Sequence, residues 1–283
     1  MATIDYEKEY DNRGRVKEHP EIFARWSRDA AACRTMRGAF ATLGERYGGS
    51  DRQFLDFFPA GSGKGPLAMF IHGGWWRSLD PAQFSQMAKG PNAGGIDVAV
   101  VGYDLCPMVS IATIIGQARA ACLHLWRKRK QRIIVCGHSA GGHLAACMVA
   151  TDWKTLDPGA PADLVPAAYA ISGVFDLTPL VHVSQNADLR LTDEAAAREV
   201  SPLYWRVPAG RSLDAVVGGE ESGELLRQSR DIAQAWKQGM ADTRYEEVPG
   251  ANHFTVIDPL ADANSAMTAR VVELANGVAA MAL

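Results

Sequence analysis

The sequence predicts an α/β fold: a mostly parallel central sheet of about eight strands with helices on both faces. Three observations point there. From about residue 52 to the C-terminus, short apolar runs of strand length alternate with segments of helical periodicity, the rhythm of repeated βα units. The clearest helix, Ile111 to about Arg129, repeats Ile114, Ile115, Ala118, Ala121, Cys122 and Leu125 at helical spacing. Finally, 283 residues that are 47% hydrophobic and 22% charged can bury a sizeable core, and that length fits one large α/β domain.

Taken in order, "QFLDFF", "LAMFIH" at 67–72 and "DVAVVGYD" at 97–104 read as strands and lead into the helix 111–129. "RIIVCG" is the next strand, followed by a helix from Ala140 to about Thr151. "AAYAIS", "LDAVVGG" and "TRYEEVPG" supply further strands; a helix from Gly223 to Lys237 separates the last two, and a final helix covers about Asp262 to Met281. Two stretches break the rhythm. Residues 5–45 look helical, so residues 1–50 are expected as an N-terminal helical extension packed across the fold. Residues 176–205 are long, Pro-bounded and partly helical, and an insertion of that length between strands is expected to act as a lid. Residues 1–283 are otherwise read as a single domain without internal repeats.

A formal charge of −3, with no basic block beyond "RKRKQR" at 127–132, argues against nucleic acid as a partner. The apolar stretch "GGIDVAVVGYDLCPMVSIATIIG" is interrupted by Asp97, Asp104 and Pro107, which argues against a membrane span. The charged N-terminus lacks an apolar core segment of the secretory kind, so a cytoplasmic location is expected. Cys33, Cys106, Cys122, Cys136 and Cys147 form an odd set without metal-ligand spacing. They read as reduced, mostly buried thiols, and no metal or organic cofactor is expected.

"GHSAGG" places Ser139 between Gly137 and Gly141 where the strand pattern becomes a helix pattern. This is the layout of a nucleophile elbow, in which a strained turn lifts a serine hydroxyl clear of the sheet. Attack on an acyl carbon creates an alkoxide that needs preorganised N–H donors. "IHGGWW" at 71–76 follows a strand, and its glycines let backbone approach a substrate closely. The expected donors are Gly74, Trp75 and Ala140, with Gly73 shaping the turn or donating as well.

Among the histidines after Ser139, His253 in "VPGANHF" lies in a loop where the C-terminal ends of the strands gather, and is the expected base. His143, on the helix leaving the elbow, reads as a pin for the elbow or a neighbouring loop, and His182 lies in the expected lid. The orienting acid should follow the penultimate strand, where "GGEESGELL" offers Glu220, Glu221 and Glu224. Ser222 can cap the next helix, which puts Glu224 in its first turn and leaves Glu221 best placed; Glu220 and Asp176 are the alternatives.

With "HGGWW", "GHSAGG", "SGVFDLTPL", "SPLYW", "ESGELLRQS" and "NHF" in this order, the chain resembles the α/β-hydrolase superfamily. More narrowly, it is similar to the branch that holds kynurenine formamidase (arylformamidase) and bacterial carboxylesterases of the HGGxW type. The resemblance extends to the N-terminal "EYDNRGRVKEHPEIFARW" and carries the family's roles onto Ser139, His253, the HGGxW backbone and Glu221. Many relatives have aspartate at the acid position, so the extra methylene of Glu221 must be absorbed locally. Trp75 would overhang the acyl site and restrict the acid moiety to something small.

The implied activity is hydrolysis of carboxylic esters of small acids through an acyl-enzyme, with deformylation of an aryl formamide as the alternative. A catalytically silent hydrolase fold used for binding is a third reading. Trp75, Phe175, Tyr204, Trp205 and Phe254 are the expected pocket residues. The expected partner is a small-molecule ester or formamide, and paired lids or terminal strands could support a homodimer.

Overall fold

The computed structural model describes residues 4–239 and 241–281. Eight strands form one sheet: β1 (Thr42–Arg46), β2 (Phe54–Phe58), β3 (Leu67–Ile71), β4 (Asp97–Val101), β5 (Ile133–His138), β6 (Ala167–Ile171), β7 (Ser212–Gly218) and β8 (Asp242–Val248). Their spatial order is β1-β2-β4-β3-β5-β6-β7-β8. β2 runs antiparallel to both β1 and β4, and every other pairing is parallel.

Successive side chains of a strand point to opposite faces, and β3 uses both. Leu67, Met69 and Ile71 join one core; Ala68 and Phe70 join the other. Helices Ile111–Arg129, Ala140–Val149 and Gly223–Gln238 cover the first face, while His19–Arg37 and Ala266–Ala279 cover the second. The alternation read from the sequence is therefore the sandwich observed.

The N-terminal extension departs from its expected form at one end. Helices Tyr6–Tyr10, Asn12–Arg15 and His19–Arg37 follow the helical reading, but residues 42–46 are the edge strand β1. Gly38, with φ 46°, ends the long helix and lets the chain turn. "TLGER" then pairs with β2 through an almost wholly exposed segment, so it carries no apolar alternation to mark it as a strand.

Specific polar contacts tie this extension down. Tyr10 Oη donates to Glu224 Oε2 (2.9 Å) and accepts from Gln228 Nε2 (2.7 Å), Arg25 donates twice to the Asp258 carboxylate (2.7 and 3.1 Å), and Arg34 pairs with Asp56. The 176–205 insertion holds four short helices, Thr178–His182, Asn186–Leu189, Glu194–Glu199 and Pro202–Tyr204. Ser184 within it donates its N–H to Glu7 of the extension (2.7 Å). Among the described residues no helix is long and apolar enough to cross a membrane.

Candidate active site

Ser139 stands between the end of β5 and the helix Ala140–Val149, with φ 56° and ψ −119°, a backbone region that L-residues seldom occupy. The surrounding glycines make that turn possible. A Cβ on Gly141 would overlap the carbonyl oxygen of Ile71 in β3, and one on Gly137 would overlap that of Gly141. Gly141→Ala is therefore expected to cost more than about 3 kcal/mol, because backbone rather than a flexible side chain must move. Urea unfolding compared with wild type checks this, and a midpoint unchanged by the substitution would refute the close approach.

His253 reaches Ser139 from the loop after β8, with its Nε2 3.0 Å from Ser139 Oγ. On its other side, His253 Nδ1 lies 2.6 Å from Glu221 Oε2. The carboxylate holds the proton on Nδ1, so Nε2 accepts the serine hydrogen. Glu221 Oε1 accepts from the Gly218 N–H (2.7 Å) and from the Ser172 hydroxyl. Ser172 itself sits at φ 51°, one residue beyond β6, which aims its hydroxyl at the carboxylate. All three members of the chain Ser139–His253–Glu221 are buried.

The other candidates lie elsewhere. Glu220 is exposed. Asp176 accepts from the N–H and hydroxyl of Thr178, and Glu224 is bound to Tyr10 and Arg227. His182 is exposed beside Glu194. His143 is an internal strut: its Nε2–H donates to Val200 O (2.7 Å) and its Nδ1 accepts from Trp76 Nε1 (3.2 Å), joining the elbow helix to the insertion and to the glycine loop.

Burial pushes the His143 imidazole down to about 4, and His72 likewise to about 4. The unfolded chain, whose histidines titrate near 6.5, binds these protons first, so stability is fully present above pH 6.5 and drains away as pH falls toward 4. The loss is on the order of 3 kcal/mol per histidine. Urea midpoints at pH 7.5 and 4.5 test it, and equal midpoints would contradict the assignment.

The glycine loop after β3 supplies donors. A Cβ on Gly73 would lie 3.0 Å from Ser139 Cβ and 2.8 Å from His138 O, so only glycine lets the loop close on the serine. Gly74 has φ 113°, and Trp75 and Trp76 follow with φ 56° and 53°. The Gly74 carbonyl is taken by Arg77 N, Ser78 N and Ser78 Oγ, while the N–H groups of Gly74, Trp75 and Ala140 meet no protein acceptor among the described residues. Donors held in a strained, preorganised loop next to a hydroxyl suit a developing oxyanion.

The cavity at Ser139 has a volume of about 30 Å³, and Trp75 and Phe254, two of the five residues read as pocket residues, stand in its wall. Phe175, Tyr204 and Trp205 do not. Phe175 is wholly buried, with its N–H held by Gln228 Oε1 (2.6 Å). Tyr204 lies in the surface under Arg198, and Trp205 donates its indole N–H to Glu199 O (3.1 Å) beneath Arg119. No residue of the 176–205 insertion lines the cavity at the serine, although Gln185 and Asp188 line the neighbouring groove. The place expected for the insertion is taken by the N-terminal extension, through Phe23 and Trp26, whose rings stack at 5.1 Å while Phe23 meets Phe254 edge-on at 5.0 Å.

Asn12, Arg13 and His138 also line this cavity and were not anticipated. His138 Nε2–H donates to the backbone carbonyl of His253 (2.7 Å), and burial together with the neighbouring His253 ring holds its pKa well below the usual histidine range. For Phe23 and Trp26, equally unanticipated, the available sequence signal was "EIFARW", an aromatic pair three residues apart in a helix expected to cross the fold.

The fold and the site together define an enzyme of the hydrolase class. The chain belongs to the alpha/beta hydrolase fold family, whose model matches residues 68–257. The kynurenine formamidase of Salmo salar is 29% identical to it over 217 residues, spanning 74% of this chain and 72% of its own length. That of Danio rerio is 27% identical, across 81% of this chain and 80% of its own. A crystallised protein of Silicibacter sp., described as a candidate thioesterase, superposes with a TM-score of 0.83 at 32% identity, covering 94% of this chain and 98% of that one. Esterase B of Lactobacillus rhamnosis, at 15% identity, shares the fold with a TM-score of 0.68 over 94% of this chain and 96% of its own.

Proposed function

We propose that the protein hydrolyses carboxylic esters of small acids by two-step acyl transfer. The hydrogen-bonded chain Ser139 Oγ–His253–Glu221, at 3.0 and 2.6 Å, is the observation that carries this reading. Ser139 Oγ attacks the carbonyl carbon as His253 Nε2 takes its proton, and Glu221 stabilises the imidazolium so formed. The N–H groups of Gly74, Trp75 and Ala140 hold the alkoxide. Collapse breaks the bond to the alcohol, which leaves with the proton from His253, and water attacks the acyl-serine by the same route. The cavity at Ser139 is narrow, about 30 Å³, with Trp75 and Phe254 in its wall, which suits formyl and acetyl groups and disfavours longer acyl chains. The five buried, unpaired cysteines support a reducing, cytoplasmic setting.

Deformylation of an aryl formamide is a second reading. It is favoured by the kynurenine formamidases among the relatives and by the same small cavity. Comparing kcat/KM for N-formylkynurenine, p-nitrophenyl acetate and p-nitrophenyl butyrate separates the two. Acetate is expected to exceed butyrate at least tenfold, and negligible turnover of the formamide beside rapid ester cleavage eliminates the second reading. A fluorophosphonate probe that leaves Ser139 unlabelled overturns both.

A further inference from the structure

The sheet ends on a strand with a free side at each edge, and the two edges differ. β1 slips in register against β2 between Thr42 and Glu45, and Gly44 stands at φ 72° with its N–H turned to the Asp56 carboxylate (2.8 Å). An irregular edge of this kind bends away from a second strand. β8 lacks both the slip and the strained residue. Its seven residues pair with β7 in continuous register, contain no proline, and leave alternate N–H and C=O groups on the outer side. Thr243, Tyr245 and Glu247 share the face toward the helix Gly223–Gln238: Thr243 Oγ1 donates to Ala233 O (2.8 Å), and Arg230 lies 5.5 Å from the Tyr245 ring centroid and 3.6 Å from Glu247. Arg244 and Glu246 share the opposite face, where they pair with each other at 2.9 Å while partly exposed.

We propose that β8 is the contact between two copies of this chain, paired antiparallel about a two-fold axis at Tyr245 into one sheet with eight strands from each copy. Charges on an edge ordinarily discourage pairing, but those of β8 are self-complementary. In a two-fold antiparallel pair, opposed residues must turn their backbone groups the same way, so the axis passes between the two copies of one residue. An axis at Tyr245 sets Arg244 opposite Glu246 of the second copy, and Glu246 opposite the second Arg244, with the two tyrosines facing each other. An axis at Arg244 instead opposes Asp242 to Glu246 and brings the two arginines together, and an axis at Glu246 brings two glutamates together. Opposite charges across a seam stabilise it and like charges oppose it, so the charge pattern selects Tyr245. The ion pair that each chain closes along its own strand is exchanged for one across the seam, and neither charge loses its partner.

Sedimentation velocity over a dilution series reads the assembly directly. Wild type is expected to sediment at twice the mass of one chain and to dissociate on dilution. Arg244→Glu and Glu246→Arg each set like charges across the seam, and each should raise the dimer dissociation constant at least tenfold. The double variant Arg244→Glu/Glu246→Arg should return it to within about threefold of wild type, because the swap rebuilds both ion pairs in this register. Circular dichroism of all three variants is expected to match wild type, since both side chains are partly exposed. A wild-type monomer throughout the series, a dimer that both single reversals leave intact, or a double variant as dissociated as the single ones overturns the pairing. A dimer kept in Arg244→Glu and lost in Leu43→Lys places the contact at β1 and overturns it as well.

Discussion

Replacing Ser139 with alanine is expected to lower kcat by about 10⁴-fold or more, the scale at which losing the nucleophile of a Ser–His–acid system leaves only background catalysis by binding and oxyanion donors. The substitution removes one oxygen and keeps a Cβ, so the backbone at φ 56° has no added clash to resolve and the folded state should persist. His253 keeps its Glu221 partner at 2.6 Å and loses only the serine hydroxyl. Steady-state kinetics on p-nitrophenyl acetate measure the loss. Because the two side chains act as one unit, Ser139→Ala combined with His253→Ala should lose scarcely more than Ser139→Ala alone. Retention of even a tenth of wild-type turnover by Ser139→Ala would mean that another group performs the attack.

The second large effect is at Glu221. Glu221→Gln should cost about 10³–10⁴ in kcat, since an amide turned toward Nδ1 with its NH₂ forces the proton onto Nε2, and the imidazole then presents a donor to the serine. The other oxygen also has duties, accepting from Gly218 N–H and Ser172 Oγ, so the carboxylate is fixed from three directions. Glu221→Asp keeps the charge and shortens the reach by one methylene, and the shorter acid cannot satisfy the β7 turn and the imidazole from one position. A loss of about 10²-fold in kcat is expected from that misplacement. Kinetics of the two variants side by side check the ordering, and equal activities would assign the orienting role to a different group.

Much of this site was legible because its parts are tied to local chain signals. A serine between glycines at a strand–helix junction, a glycine pair after β3 and a histidine after β8 each mark a position on the C-terminal edge of the sheet, where loops converge. Glu221 could be separated from Glu224 by Ser222, whose hydroxyl accepts the Leu225 N–H at 3.3 Å and so fixes where the helix begins. The pocket walls were less legible, because which aromatic faces the serine depends on how distant segments dock. Tyr204 and Trp205 lie in a Pro-bounded segment of the kind that forms lids, yet their polar atoms and ring faces are satisfied by neighbours within the insertion or on the adjacent helix. β1 escaped notice for a related reason: an exposed edge strand needs backbone partners and little apolar surface, and backbone pairing leaves no trace in residue type.

The division of labour between the ends of the chain has an evolutionary consequence. Phe23, Trp26, Asn12 and Arg13 come from the first thirty residues, whereas the hydroxyl, carboxylate and imidazole all come from beyond residue 138. Exchange of that terminal cassette would therefore reshape one side of the cavity wall with no edit to the reacting groups, while Trp75, Leu79 and Phe254 keep the other side. The Tyr10 clasp on Glu224 and Gln228 sets the docking rule that any exchanged cassette must obey.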